Sequence, residues 1–214
     1  MRGKVLLLRR GTLLLILTAL VAAGIFMAVG GPSFVSASAA KRQLPIYSVE
    51  REEKVCAISF DAAWGNEDTQ ALIDILGKYN VKATFFVVGD WVDKYPESVK
   101  ALHDAGHEVM NHSLHHDHYN ALTADQVVAD VTACNEKIAA ITGVTPCLIR
   151  CPYGEYDDHV ISAIRSMGME PIQWDVDSLD WKDLSPRPYK KLETDPYTKA
   201  RIILMNGIEV EAVM

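Results

Sequence analysis

Hydrophobic and polar positions change period several times along the chain. Residues 12–31 run for twenty positions without a charge. From about residue 41, short apolar runs alternate with stretches of helical period. Residues 55–60 are one such run, followed by Gly65-Asn66 and a helical pattern through Tyr79 with Leu72, Ile73 and Leu76 on one face. Residues 84–88 are aromatic and β-branched, which predicts a buried strand. An amphipathic helix is expected over 92–105, closed by Gly106, and a strand over 108–110. A long helix over 123–142 opens with the capping-box pattern Thr123-Ala124-Asp125-Gln126 and has Gly143 past its end. Strands at 148–149, 172–174 and 202–205 and a helix over 157–167 complete the series. Strands alternating with helices predict an α/β fold of βαβ units around a parallel sheet, open or closed into a barrel.

A chain of 214 residues can bury a full core, and 49% hydrophobic with 23% charged residues is ordinary globular composition. The formal charge of −7 is unevenly spread. Arg2, Lys4, Arg9 and Arg10 precede residue 41 with no acid, so the remainder carries 17 basic and 28 acidic side chains, a net −11. A domain that acidic is unsuited to phosphate backbones, and no nucleic-acid partner is expected.

Basic residues, then an apolar run, then Ala37-Ser38-Ala39 give the layout of a secretory signal over 1–40. The run is also near the ~20 residues that cross a bilayer, so it serves equally as a membrane anchor. Either way the domain is expected outside the cytoplasm, behind a linker at 41–53 and occupying 54–214. Export permits disulfides, and Cys56, Cys134, Cys147 and Cys151 allow three pairings. Cys56 lies in a strand-like run, where a buried thiol is expected.

In βαβ folds chemistry sits beyond the carboxyl ends of the strands. Asp61 follows the first such strand, and His112, His115, His116 and His118 follow the third. Arg150-Cys151-Pro152-Tyr153 and then Asp175, Asp177, Asp180 and Trp181 follow later ones. His103, His107 and His159 read as capping or surface residues, and Trp91 as core. His112 and His116, four apart on a helical turn, can ligate one divalent metal. Such a metal polarises a carbonyl and lowers the pKa of bound water towards ~7. A carboxylate then takes the water's proton, aimed by a neighbouring arginine. The residues thus point to metal-assisted hydrolysis of an amide or ester.

These segments resemble the polysaccharide deacetylase family, the NodB-homology domains of carbohydrate esterase family 4, over roughly residues 54–206. Ser59-Phe60-Asp61-Ala62 resembles motif T-F-D-D, which makes Asp61 the general base. His112-Ser113-Leu114-His115-His116-Asp117 matches H-[S/T]-x-x-H-[P/D] and makes His112 and His116 metal ligands. Arg150-Cys151-Pro152-Tyr153 matches R-x-P-Y: Arg150 orients Asp61, and the Tyr153 N–H holds the oxyanion. Asp177-Ser178-Leu179-Asp180-Trp181 matches D-x-x-D-W, with Trp181 walling the acetyl pocket and Asp180 tuning a catalytic acid. Pro152 and Trp64 are expected to bind substrate. The resemblance implies a distorted (β/α) barrel, a divalent cofactor (zinc, or cobalt) and an N-acetylated cell-wall glycan such as peptidoglycan or a chitin-like chain. Phe60-Asp61-Ala62-Ala63-Trp64-Gly65 resembles branches linked to spore or cell-wall peptidoglycan.

Two positions depart from the family. Its third metal ligand falls on Ala62, whose methyl coordinates nothing, so Asp61, Asp68 or Asp117 would have to take that place. Its final L-x-H acid is absent: the last strand reads Ile202-Ile203-Leu204-Met205-Asn206, and no histidine follows His159. An incomplete C-terminal part of the barrel is expected. The main expectation is a metal-dependent deacetylase, active or weakly active. A degenerate domain that binds glycan without cleaving it is the alternative. Glycosidase chemistry, with Asp61 and Asp177 or Asp180 flanking a glycosidic bond, comes third.

Overall fold

The structure is a computed structural model and describes residues 10–28, 42–50, 55–178 and 199–205. The chain divides into two units, Met1–Lys41 and Arg42–Met214. In the first, α1 (Arg10–Ala28) is a 19-residue helix of apolar and small residues after Arg10. Among the described residues no helix is long and apolar enough to cross a membrane.

The second unit alternates strands and helices: β1 (Ser48–Glu50), β2 (Cys56–Ala62), α2 (Thr69–Lys78), β3 (Thr84–Val87), α3 (Gly89–Lys94), α4 (Pro96–Asp104), β4 (Glu108–Asn111), α5 (Ala124–Thr142), β5 (Leu148–Ile149), α6 (Asp158–Ser166), β6 (Glu170–Pro171), β7 (Val176–Asp177) and β8 (Lys199–Met205). The sheet order is β1-β8-β2-β3-β4-β5-β6, with β7 also on β8. All pairs are parallel except β1 with β8. Beyond β6, Ile172 bridges to Ile46, at the entry to β1, so the sheet curls round as a distorted (β/α) barrel.

Register decides where the chemistry goes. Ala62 pairs with Val87, Val87 with Asn111, and Asn111 with Ile149. Asp61, His112 and Arg150 therefore lie within one residue of a common rung at the carboxyl edge. The core beneath lies between sheet and helices, where Phe60, Phe85, Leu76, Val99, Leu102 and Ile138 are buried together. Each such side chain contributes about 1.5–3 kcal/mol by leaving water. A second cluster joins α5 to α6 through Val127, Val131, Val160 and Ile164.

Local signals act as expected on α5. Thr123 and Gln126 form the capping box, and Gly143 ends the helix at φ +73°. The helix expected over 92–105 is instead two, α3 and α4. Pro96 lacks an N–H and fits the first turn of a new helix, so the chain breaks at Tyr95. The strand expected at 172–174 lies at Glu170–Pro171; Ile172 follows it, donating its N–H to the Ile149 carbonyl at 2.8 Å and bridging to Ile46. Within the expected linker, residues 48–50 are strand β1, and the Gln43 amide donates to Asp158 at 2.9 Å. All four cysteines are free thiols. Cys56 is exposed, contrary to expectation, because the start of β2 faces solvent; Cys134 and Cys151 are buried.

Candidate active site

Side chains alternate across a strand, so Ser59 and Asp61 share one face of β2. Arg150, wholly buried just after β5, reaches both: Nη1 donates to Asp61 Oδ1 at 2.6 Å and Nη2 to Ser59 Oγ at 2.8 Å. Its guanidinium also lies over the Phe86 ring, 4.2 Å from the centroid, with Trp174 at 5.5 Å. Asp61 is thereby fixed at the sheet edge with its second oxygen, Oδ2, 3.7 Å from His112 Nε2. The His112 Nδ1–H donates to the Arg150 carbonyl at 2.7 Å, since a carbonyl can only accept. That bond leaves Nε2 as the nitrogen open to a ligand.

His112 and His116 do come together, with ring centroids 5.0 Å apart, but not on a helical turn. The segment after β4 is a loop in which Ser113 and His116 take φ +75° and +62°. Tyr153, in the tight turn Pro152–Gly154, has φ +58°. Non-glycine residues in this region carry about 1–3 kcal/mol of strain each and cluster at functional sites. Here the three strained residues converge, with the His116 and Tyr153 rings 4.5 Å apart. Burial lowers the His116 pKa to about 4, and the His112 imidazole adds to the shift, so His116 is neutral at ordinary pH. Its Nδ1 is buried with no hydrogen-bond partner.

An orphaned imidazole nitrogen beside a second imidazole and a carboxylate suits a divalent cation. The third ligand position does not. Ala62 stands there, and among the described residues no group of three His, Cys, Asp or Glu side chains is placed to hold a metal. Asp61, Asp68 and Asp117, the expected substitutes, do not complete the set. Asp68 instead precedes α2 and lines, with Asp61, Ala62, Trp64 and Trp91, a cavity of about 90 Å³.

The remaining expected residues divide. Trp64 is 80% exposed at the rim, its ring 5.2 Å from His116. Pro152 is buried under the Tyr153 turn, where it shapes the loop and offers little surface to a substrate. His115 and His118 are exposed and paired with Asp90 and Glu155, both at 2.9 Å, which makes them neighbours of the pair and not part of it. Trp91 is core, as expected. His107 is buried, contrary to expectation, and its Nδ1 accepts from the Ala83 N–H at 3.3 Å. His159 caps structure as expected, through Asp157 and the Leu122 carbonyl. Asp180, Trp181 and Asn206 lie outside the described residues.

Three further residues contribute that residue type and spacing do not single out as chemical. Ser59 takes part through its contact with Arg150, and its two-residue offset from Asp61 is the signal that they share a face. Asn111 is buried and accepts from the Ser113 N–H at 2.7 Å. Asp130, on α5, accepts from the Leu114 N–H at 2.9 Å. No local pattern announces Asp130, whereas Asn111, two residues before Ser113, is placed for an Asx turn.

The fold and this constellation define a class. The polysaccharide deacetylase family profile matches residues 48–172, and the chain belongs to that family. It is 34% identical over 137 residues to the peptidoglycan-N-acetylmuramic acid deacetylase PdaA of Bacillus subtilis, covering 64% of this chain and 52% of that one. It is 33% identical over 181 residues to the peptidoglycan-N-acetylglucosamine deacetylase PgdA of Listeria monocytogenes, covering 81% and 38%. Among solved structures, BA3943 of Bacillus anthracis, a CE4 family pseudoenzyme, superposes with TM-score 0.72 at 31% identity, over 79% of this chain and 61% of that one. A mutant of BA3943 is described as having restored enzymatic activity. The chain spans about half the length of the first curated relatives it matches.

Proposed function

We propose that this chain is a hydrolase of impaired activity that removes N-acetyl groups from a cell-wall glycan, releasing acetate, with peptidoglycan as substrate. The observation that carries it is the Arg150–Asp61–His112 arrangement, with Asp61 clamped on one oxygen and turned towards His112 with the other. His112 and His116 would hold a divalent cation, zinc or cobalt, by two imidazoles. When bound, such a cation polarises the acetyl carbonyl and acidifies water. Asp61 Oδ2 accepts the proton of the water that attacks the amide carbon. The C–N bond then breaks, acetate leaves with the water's oxygen, and the amine nitrogen takes back the proton that Asp61 accepted from the water. The Tyr153 N–H, presented by the strained turn, donates to the oxyanion. Trp64, exposed beside His116, offers a ring face to the sugar.

Two features make the activity weak. A methyl replaces one ligand at Ala62, and Leu204-Met205-Asn206 has asparagine where the L-x-H pattern has the histidine that would protonate the departing amine. General acid help is worth roughly 10²–10⁴-fold. Ala62 also favours a second reading, in which the domain binds glycan through the same rim without cleaving it. Similarity to a pseudoenzyme supports that reading. The basic residues 2–10 and the apolar run 12–31 support export, with the domain secreted or held at a membrane by its N-terminal segment.

Acetate release from N-acetylated peptidoglycan by the purified full chain, with added cobalt and again with chelator, separates the readings. Release that chelator abolishes supports the hydrolase. Glycan retention without release supports the binding domain.

A further inference from the structure

We propose that Asp130 of α5 is the positioning residue of the His112–His116 pair, an inference that rests on the proposed role of that pair. The loop after β4 holds two strained residues, Ser113 and His116, and such strain persists only where the surroundings impose it. Three sets of bonds impose it here. Inside the loop, Asn111 Oδ1 accepts from the Ser113 N–H, and Ser113 Oγ accepts from the His116 N–H at 2.8 Å. From the start of α3, the Gly89 and Asp90 N–H groups donate to the Ser113 and Leu114 carbonyls at 2.9 and 3.0 Å. From α5, Asp130 Oδ1 accepts from the Leu114 N–H at 2.9 Å and from the Tyr119 O–H at 2.5 Å.

The third set does what the others cannot. Leu114 lies between the two histidines, and both its backbone groups are pinned, the carbonyl by α3 and the N–H by Asp130. Tyr119 is wholly buried where the histidine segment ends. One carboxylate oxygen thus ties the start and the end of the 114–119 segment to a 19-residue helix anchored in the core. Asn111 secures the same helix from the other side, donating through Nδ2 to the Val131 carbonyl and to Asn135 Oδ1. Asp130 therefore sets where the His116 ring lies relative to His112.

Amide hydrogen exchange on the full chain, without metal, tests this directly. In Asp130→Ala, exchange at the His116 N–H is expected to speed up at least about tenfold, as for loss of a local restraint. The Val88 N–H, which donates to the Ala62 carbonyl across the sheet at 3.0 Å, keeps its native rate. Asp130→Asn retains an acceptor oxygen and restores near-native exchange. Cobalt affinity follows the same order, falling about 10–100-fold in Asp130→Ala, the usual effect of removing a supporting partner of a ligand. Should Asp130→Ala not fold, Tyr119→Phe removes one of the two bonds and gives a smaller acceleration at His116. Unchanged His116 exchange in the folded variants overturns the proposal. So does equal acceleration at Val88, which reduces Asp130 to general stability. If the native chain binds no cobalt, the exchange result still decides the positioning role, and only the metal reading fails.

Discussion

Arg150 and Asp61 form a buried couple, 2.6 Å between Nη1 and Oδ1, with the arginine inaccessible to solvent and Asp61 14% exposed. Removing one member of a buried pair leaves the other uncompensated, at a cost of about 3–5 kcal/mol. Arg150→Met is therefore expected to destabilise the domain on that scale, because Asp61 and Ser59 both lose their donor. Asp61→Asn keeps an oxygen for Nη1 and is expected to cost less. Urea denaturation of the two variants checks the order.

The roles at the His112–Asp61 contact separate by substitution. His112→Ala is expected to lose cobalt binding and acetate release together. Asp61→Asn is expected to keep cobalt bound while release falls by about 10²-fold or more, the scale of general-base catalysis. Calorimetry and acetate assay on the same samples distinguish them; full activity in Asp61→Asn would remove the general-base role.

Gly89 opens α3 against the histidine loop. A Cβ there would lie 2.7 Å from Leu114 Cδ1 and 3.1 Å from the Leu114 carbonyl oxygen. Gly89→Ala requires the Leu114 side chain to turn aside and the Leu114 backbone to give by a few tenths of an ångström, with an expected loss of about 1–3 kcal/mol from overpacking. Thermal melting reads that loss, and weakened cobalt binding in the folded variant shows that the displacement reaches the pair.

His107 gives the domain a pH dependence. Burial, with the Lys82 charge adding, lowers its pKa below the usual 6.5, so the folded chain favours the neutral form more than the unfolded chain does. The unfolded chain takes up a proton as pH falls through about 6.5 and the folded chain only at a lower pH, so stability declines on acidification. The urea midpoint is expected to drop between pH 7 and pH 5. His107→Asn, which keeps an acceptor for the Ala83 N–H, is expected to flatten that drop.

Much of the fold was legible in the sequence. Capping at Thr123 and Gly143 marked α5, and the β-branched and aromatic run at 84–88 marked β3, because these signals are local. The break at Pro96 was legible but unread: periodicity alone carried the helix through it. Strand β1 was not legible, since three residues with two exposed side chains acquire their structure only from β8. At the site, Asp61, His112, His116 and Arg150 stood out by residue type and by place at strand ends. Their supports did not. Asp130 and Asn111 act across 16 and 24 residues of sequence on partners that only the folded chain brings near. His107 looked like a surface histidine because nothing local shows that Phe85 packs on it, with ring centroids 5.4 Å apart.

In the proposed reaction Asp61, as general base, faces a metal position short of one ligand at Ala62. Ala62 borders the cavity beside Asp61, so a carboxylate introduced there has space. The most direct measurement is acetate release from N-acetylated peptidoglycan in cobalt, native chain and Ala62→Asp side by side. Slow, chelator-sensitive release by the native chain and at least about tenfold faster release by Ala62→Asp is predicted, since activity then follows metal occupancy. A folded Ala62→Asp that binds cobalt more tightly yet releases no more acetate would contradict the account.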